Sequence, residues 1–371
     1  MAKICVITFA KTTDNYGQVL QYLATQEYLK SRGHDPYLLR SKGHRLSLLS
    51  RIIRRLKRYV SPSIPLFHTE IEKKQLEEFG KWWRIAAEME EKHPRHFEDF
   101  RKQKFKLLDC YLEDVKEYGF DAVAVGSDQT WGSSDDTYYL AWAPKECIRF
   151  AIAPSVAHYQ FSETEINTLR PFLQLFSFVT VRERNGLMFC NRIGYKGAKQ
   201  ILDPTFLIPA RNYDQFIPTY EQNLKPYLFL YLLGNEIGIG VKEIFEYAKS
   251  IGLEVKYVAS QGRQDDFPKI YAEVGEWLWL LKNATYVITN SFHGMAFSII
   301  YRKKFLTIPV IGVFEKMNIR IENIAEQFNL EDRIYTGELS YVENEIDWNK
   351  ADKIIERNKI LLDSLMAKVN L

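Results

Sequence analysis

KICVITFAKTTDNYGQVLQYLATQEYLKSRGHDPYLLR, residues 3–40, decides the fold. The apolar, β-branched run from Lys3 to Ala10 reads as a buried strand. A polar turn, KTTDNYGQ, comes next, and VLQYLATQEYLKSRG is a helix with Gly33 as its C-cap signal. DPYLLR is a second strand. Strand, helix and strand in this order open a doubly wound α/β sheet, and right-handed crossover makes the strands parallel.

The pattern then breaks. Residues 42–118 hold no convincing strand and read as an α-helical insertion, with helices in RLSLLSRIIRRLKRYV, EIEKKQLEEFGKWWRIAAEM and RHFEDFRKQKFKLLDCYLED. Strands ending in polar turns resume at FDAVAVGSDQTW, IRFAIAPSV, SFVTVRERNG and AKQILDPTFLI. Residues 209–225, rich in Pro, Asn and Gln, make a linker. A second α/β series runs from PYLFLYLLG to the long helix WNKADKIIERNKILLDSLMAKVNL. We therefore expect two Rossmann-like domains facing across a cleft. The first is 1–210 with the insertion at about 42–118, and the second is 211–371, its terminal helix returning to pack on the first.

The chain has 371 residues and a net charge of +3, which does not point to nucleic acid. Cys5, Cys110, Cys147 and Cys190 lack metal-ligand spacing and read as reduced thiols of a cytoplasmic protein. MAKICVITFA reads as a first strand rather than a signal peptide. No apolar run approaches the roughly 20 residues that span a bilayer.

Ligands of open α/β sheets bind at the carboxyl ends of strands, where the polar turns of this chain fall. Asp14-Asn15-Tyr16-Gly17-Gln18 replaces the GxGxxG of a dinucleotide site, which argues against a nicotinamide or flavin; Asp14 or Asn15 can equally be a helix N-cap. Ser127, Asp128 and Gln129 beside Trp131 suit paired sugar hydroxyls. Arg182 at a strand end can clamp a carboxylate or phosphate, or form an ion pair at a helix start. In VITNSFHGMAFSIIYRKKF, residues 287–305, a strand stops at Asn290 and Ser291 and a helix begins near His293 and Gly294. The helix N-terminus is an anion site, Gly294 lets an anion approach, and His293 stands beside it as a proton donor. Lys316 and Arg320 add positive charge. No metal cluster is legible, so neither metal nor cofactor is expected.

Residues 44–60 place Leu49, Ile52, Ile53, Leu56 and Val60 near helical spacing among Arg51, Arg54, Arg55, Lys57 and Arg58. Such a helix can lie on an anionic membrane face. The alternatives are a solvated insertion helix or an RNA contact.

Taken in order, DNYGQVLQYLATQEYLKSRGH, FDAVAVGSDQTWG, TVRERNG, ILDPTFL, LKNATYVITNSFHGMAFSIIYRKKF and IRIENIAEQFNLEDRI resemble the polysaccharide pyruvyltransferase family across most of the chain. The resemblance implies a glycosyltransferase-B-like pair of Rossmann-like domains. It implies phosphoenolpyruvate as donor, a glycan hydroxyl pair as acceptor, a pyruvate ketal and phosphate as products, and a place in capsule or exopolysaccharide biosynthesis. Carried over, His293, Arg182 and Lys316, with Asn290, Ser291 and Gly294, fall where phosphoenolpyruvate is held. Asn15, Tyr16, Gly17, Ser127, Asp128, Gln129 and Trp131 face the acceptor. His293, Arg182 and Asp128 are the expected catalytic set. The chain departs from the family in having Ile319 where members carry Ser before the retained Arg320, and in APSVA, which keeps Ser155 without the following glycine. The acceptor is expected to be lipid-linked, as polyprenyl-diphosphate glycans are, with the basic helix 44–60 docking at the inner membrane face. Competing readings are a nucleotide-sugar glycosyltransferase of the same architecture and a non-catalytic glycan- or anion-binding protein.

Overall fold

The computed structural model describes residues 1–45, 70–157, 160–219, 225–260 and 262–371. Seven strands form the first sheet: β1 (Lys3–Ile7), β2 (Asp35–Leu39), β3 (Leu107–Leu108), β4 (Ala122–Val125), β5 (Ile148–Ala151), β6 (Phe178–Val181) and β7 (Lys199–Gln200). Their order is β3-β2-β1-β4-β5-β6-β7 and every neighbouring pair is parallel. All four residues of β4 and of β6 are buried, as expected where helices cover both faces of a parallel sheet. The helices of this half are α1 (Tyr16–Ser31), α2 (Glu70–Lys92), α3 (Phe97–Lys104), α4 (Glu163–Leu173), α5 (Arg184–Arg192) and α6 (Ala210–Asp214).

The second sheet contains β8 (Tyr227–Tyr231), β9 (Glu254–Tyr257), β10 (Tyr286–Thr289) and β11 (Lys304–Thr307), ordered β11-β10-β8-β9 and again parallel. Around it run α7 (Val241–Ser250), α8 (Val274–Asn283), α9 (Phe292–Ile300), α10 (Ile319–Phe328) and the terminal α11 (Trp348–Lys368). Two Rossmann-like sheets in one chain, meeting at their carboxyl ends, make a glycosyltransferase-B-like arrangement.

The sheets meet through α1. Twelve of its sixteen residues are buried, so it is covered on all sides rather than along one stripe. Tyr16 stacks on Trp277 of α8 at 5.3 Å, and its hydroxyl donates to the Ala272 carbonyl at 2.6 Å. One apolar cluster therefore runs from Ile4 and Leu20 through Tyr16 to Trp277 and Phe297. The terminal helix also reaches the first half. Asp363 accepts from the Tyr28 hydroxyl at 2.7 Å and pairs with Arg32, and Asn358 accepts from the Leu202 N–H at 3.0 Å.

Several expectations change here. The insertion contains a strand: Leu107 and Leu108 pair with Leu38 and Leu39 and extend the sheet edge. A two-residue strand carries no alternation to read. The linker holds the short α6, anchored by the fully buried Tyr213, whose hydroxyl donates to the Thr205 carbonyl at 2.7 Å. Most of the basic 44–60 segment lies outside the described residues, which resume at the start of α2. That helix docks on the second half: Trp82 meets Phe314 at 4.7 Å and lies over Gly234 and Gly262. A Cβ at Gly262 would come within 2.5 Å of the indole, so glycine is what admits the ring. Among the described residues no helix is long and apolar enough to cross a membrane. The four cysteines are free and buried.

Candidate active site

The turns after β4, β6, β7 and β10 converge where the two sheets meet. Asp203, after β7, joins them. Its Oδ1 caps the 3-10 turn Pro204–Phe206, accepting from the Thr205 N–H at 3.0 Å and the Thr205 hydroxyl at 2.9 Å. Its Oδ2 accepts from Arg182 Nη1 at 3.1 Å and from the Ser127 hydroxyl at 2.9 Å. His293 Nε2 lies 3.8 Å from the same oxygen, a distance for charge attraction rather than a hydrogen bond.

Arg182 is 3 % exposed. It stacks on Phe292 at 4.3 Å and its Nε lies 3.5 Å from Glu183 Oε2. Glu183 Oε1 accepts from the Ser155 hydroxyl at 2.5 Å and the Ala157 N–H at 2.9 Å, and so fixes the turn after β5. The backbone of that turn supports the next: the Ser155 N–H donates to the Asp128 carbonyl at 2.8 Å. Asp128 itself is left-handed (φ 61°), a region aspartate tolerates. Its Oδ1 takes the Gln129 N–H at 2.8 Å.

Buried polar atoms with no hydrogen-bond partner collect here: Arg182 Nε and Nη2, Glu183 Oε2, Asp128 Oδ2, His293 Nε2 and Arg320 Nε. Buried polar groups are normally satisfied, so a group of orphaned donors and acceptors marks a place built for a polar ligand. The donors include two guanidinium groups and an imidazole, and the acceptors are carboxylates. Such a set has the chemistry to hold a small anion and a hydroxyl group. The pocket that Arg182, Glu183, Asp203 and Arg320 line is open to only about 10 Å³ in this structure, so a ligand there needs the surrounding turns to part.

The family model for polysaccharide pyruvyl transferase matches residues 15–310, most of the chain and the whole of this cluster except Arg320. This chain belongs to the polysaccharide pyruvyl transferase family. No curated protein matches it. Similar solved structures include the UDP-GlcNAc 2-epimerase of Methanocaldococcus jannaschii (11 % identity, TM-score 0.45, covering 95 % of this chain and 92 % of the other). The UDP-N-acetylglucosamine 2-epimerase of Rickettsia bellii has 11 % identity and a TM-score of 0.46, covering 100 % and 98 %. A glycosyltransferase from Streptomyces sp. SF2575 has 13 % identity and a TM-score of 0.42, covering 99 % and 96 %.

Charge in the transferase's cluster is strongly coupled. Burial alone would raise the Asp203 carboxyl, but His293, Arg182 and the Thr205 N–H hold it well below the usual carboxylate range. Arg320 is pushed down to about 10, first by burial and then by the charge of Arg182, with Asp128 and Glu183 only partly offsetting them. Burial acts against the charge on Arg182 as well, yet Glu183, Asp203 and Asp128 overcome it and raise its pKa. A bound anion would relieve the two arginines.

The residues expected from sequence divide into those that enter this cluster and those that do not. His293, Arg182, Asp128 and Ser127 enter it. Gly17 enters by steric necessity: a Cβ there would lie 2.0 Å from His293 Nδ1, so the glycine makes room for the imidazole. Tyr16 and Trp131 are wholly buried. The Tyr16 hydroxyl is committed to Ala272, and Trp131 stacks on Tyr139 with its indole N–H on the Tyr138 carbonyl at 2.9 Å. Neither is free to meet a sugar. Asn15 is the N-cap of α1, accepting from the Gln18 N–H at 3.2 Å. Gln129 is half-buried next to Asp128.

The turn after β10 also differs from the anion site expected there. Both polar atoms of Asn290 hold the Leu233 backbone, at 2.6 and 2.8 Å. Ser291 caps α9 by accepting the Gly294 N–H at 3.3 Å, which removes that donor from any anion. Gly294 is needed because a Cβ would come within 2.3 Å of Thr289 Oγ1. Lys316 is exposed and lines a separate cavity of about 950 Å³ with Asn185 and Arg192. Reading the sequence missed Asp203, Glu183 and Gln21 as site-builders. Gln21 accepts from the Ser127 N–H at 2.9 Å and donates to Thr8 at 3.0 Å. The available signal was an amide within the apolar run VLQYL.

Proposed function

We propose that the chain transfers the enolpyruvyl group of phosphoenolpyruvate onto two hydroxyls of one glycan sugar, giving a pyruvate ketal and inorganic phosphate. The observation that carries this reading is the group of orphaned donors on Arg182, Arg320 and His293, with an orphaned carboxylate oxygen on Asp128, whose charge acts on both arginines.

Phosphoenolpyruvate carries a carboxylate and a phosphate, which the two arginines would hold. His293, as imidazolium, protonates the methylene carbon, and C2 becomes electrophilic. The first sugar hydroxyl adds to C2 and gives its proton to Asp128. Phosphate then departs with the C–O bonding pair, its charge held by arginine, and takes the proton from Asp128, and the second hydroxyl closes the ketal and returns its proton to His293. The sum is phosphoenolpyruvate plus a diol giving ketal plus phosphate, with no electron acceptor required. Asp203 is a positioning residue: it holds Arg182 directly and draws the imidazole by charge.

The test is phosphate release from phosphoenolpyruvate with lipid-linked galactose, glucose and N-acetylmannosamine acceptors. Acceptor-dependent phosphate together with a product of ketal mass supports the reading; release of a nucleotide from a sugar nucleotide instead would replace it with glycosyl transfer. The acceptor is a polyprenyl-diphosphate glycan on this account, because residues 44–60 carry a basic amphipathic sequence. Deleting 44–60 should weaken binding to anionic liposomes more than turnover of a soluble acceptor, and unchanged liposome binding would remove the membrane from the account.

A further inference from the structure

Beneath the helical insertion, α2 and the segment after it close a cavity of about 500 Å³ against the turns that follow β1 and β9. Its lining includes Asp14 from the first half, Met89 and Arg95 from the insertion, and Ser260, Gln264 and Tyr271 from the second half. None of the six contributes to the cluster around His293.

Arg95 is the unusual member. It is 2 % exposed, and its Nε and Nη1 have no hydrogen-bond partner. Among the described residues the acid within ion-pair range is Glu90, 3.7 Å away, too far for a hydrogen bond, and its own Oε2 is also unpartnered. Asp14 acts on the guanidinium by charge, and the Phe97 and Tyr271 rings lie 6.0 Å from it. The other cations on this wall are already paired: Arg263 and Lys269 both hold Asp265, at 2.7 and 2.6 Å. A guanidinium out of water with two donors unmet is costly unless an anion completes it. Around it lie the groups a saccharide uses. Asp14 is a buried carboxylate able to accept hydroxyls, Gln264 is an amide, and Tyr271 is an aromatic ring stacked on His93 at 4.1 Å. The volume suits a sugar phosphate.

We propose that this cavity binds the phosphate-bearing part of a saccharide, with Arg95 as its anion anchor and the insertion helix as its roof. This rests on the reading of the chain as a glycan-modifying transferase, but it is tested by binding alone. Because the site is built from both halves and the insertion, an occupant would fix α2 over the junction of the two sheets.

The experiment is calorimetric titration of the full-length protein with glucose 1-phosphate, UDP-N-acetylglucosamine and a polyprenyl-diphosphate-linked sugar in detergent, and separately with phosphoenolpyruvate. Two variants accompany it. Arg95→Met removes the anchor. Ala86→Phe keeps the arginine and fills the cavity from α2, which covers the case in which Arg95→Met does not fold. We expect at least one saccharide phosphate to bind, each folded variant to weaken it by about tenfold or more, and phosphoenolpyruvate binding to stay unchanged. Binding by the lipid-linked sugar alone would assign the phosphate to a lipid carrier, and binding by the soluble esters would assign it to a free sugar phosphate. Equal binding by wild type and variants, or no binding of any saccharide phosphate, overturns the proposal. Loss of phosphoenolpyruvate turnover with this binding intact would count against the function proposed above and not against the cavity.

Discussion

Asp203 divides its carboxylate between structure and site. One oxygen caps a turn, and the other takes Arg182 and Ser127 and faces His293. Its pKa is depressed in the folded state. The stability it confers is therefore fully present above the ordinary carboxylate value near 4 and is lost as pH falls through the lower folded value. Asp203→Asn should cost about 3 kcal/mol at neutral pH, because it leaves Arg182 buried with a poorer partner. It should also flatten the acid side of the stability curve. Urea melts between pH 7 and pH 2 check both; a variant with the wild-type acid slope would show that the carboxylate is not ionised there. Gly17 makes a second prediction at this scale. Alanine is the better helix former, yet its methyl would strike the imidazole of His293. Gly17→Ala should keep its fold by circular dichroism and lose about 100-fold in turnover, as a displaced catalytic group does. Full turnover would mean that the ring position does not matter.

At the scale of elements, much was legible in the sequence. Buried strands such as AVAV and YVIT stand out, and polar turns mark their carboxyl ends. His293, Arg182 and Asp128 could be placed just past the ends of buried strands, and the structure brings the three into one cluster. What the sequence hides is which polar groups the backbone consumes. Asn290 and Ser291 look like ligand contacts, but one ties β10 to the chain after β8 and the other caps α9. Trp131 and Tyr16 look like sugar platforms, but both are core. Asp203 was hidden for the opposite reason: an aspartate before proline reads as a cap, and nothing local reveals its second oxygen. The insertion helix gives an element-scale prediction. Trp82 is its contact with Phe314 and the two glycines, so Trp82→Ala should raise hydrogen exchange along α2 while β4 and β10 keep their protection. Unchanged exchange in α2 would show that other contacts hold the helix.

At the scale of the molecule, the sheets are joined by an aromatic core through α1, and the polar cluster sits at their shared edge. Both sheets contribute to the cluster: Arg182, Glu183, Asp128, Ser127 and Asp203 come from the first, and His293 and Arg320 from the second. Any relative movement of the halves would therefore change the distance between the proposed proton donor and the groups that hold the substrate. The most direct measurement is turnover of phosphoenolpyruvate and acceptor in heavy water by wild type and by His293→Ala, with the ketal examined by mass spectrometry. The account predicts a ketal methyl group carrying one deuterium from the wild type, and a folded His293→Ala variant that binds phosphoenolpyruvate but forms almost no ketal. A folded variant that forms labelled ketal at the wild-type rate would contradict it.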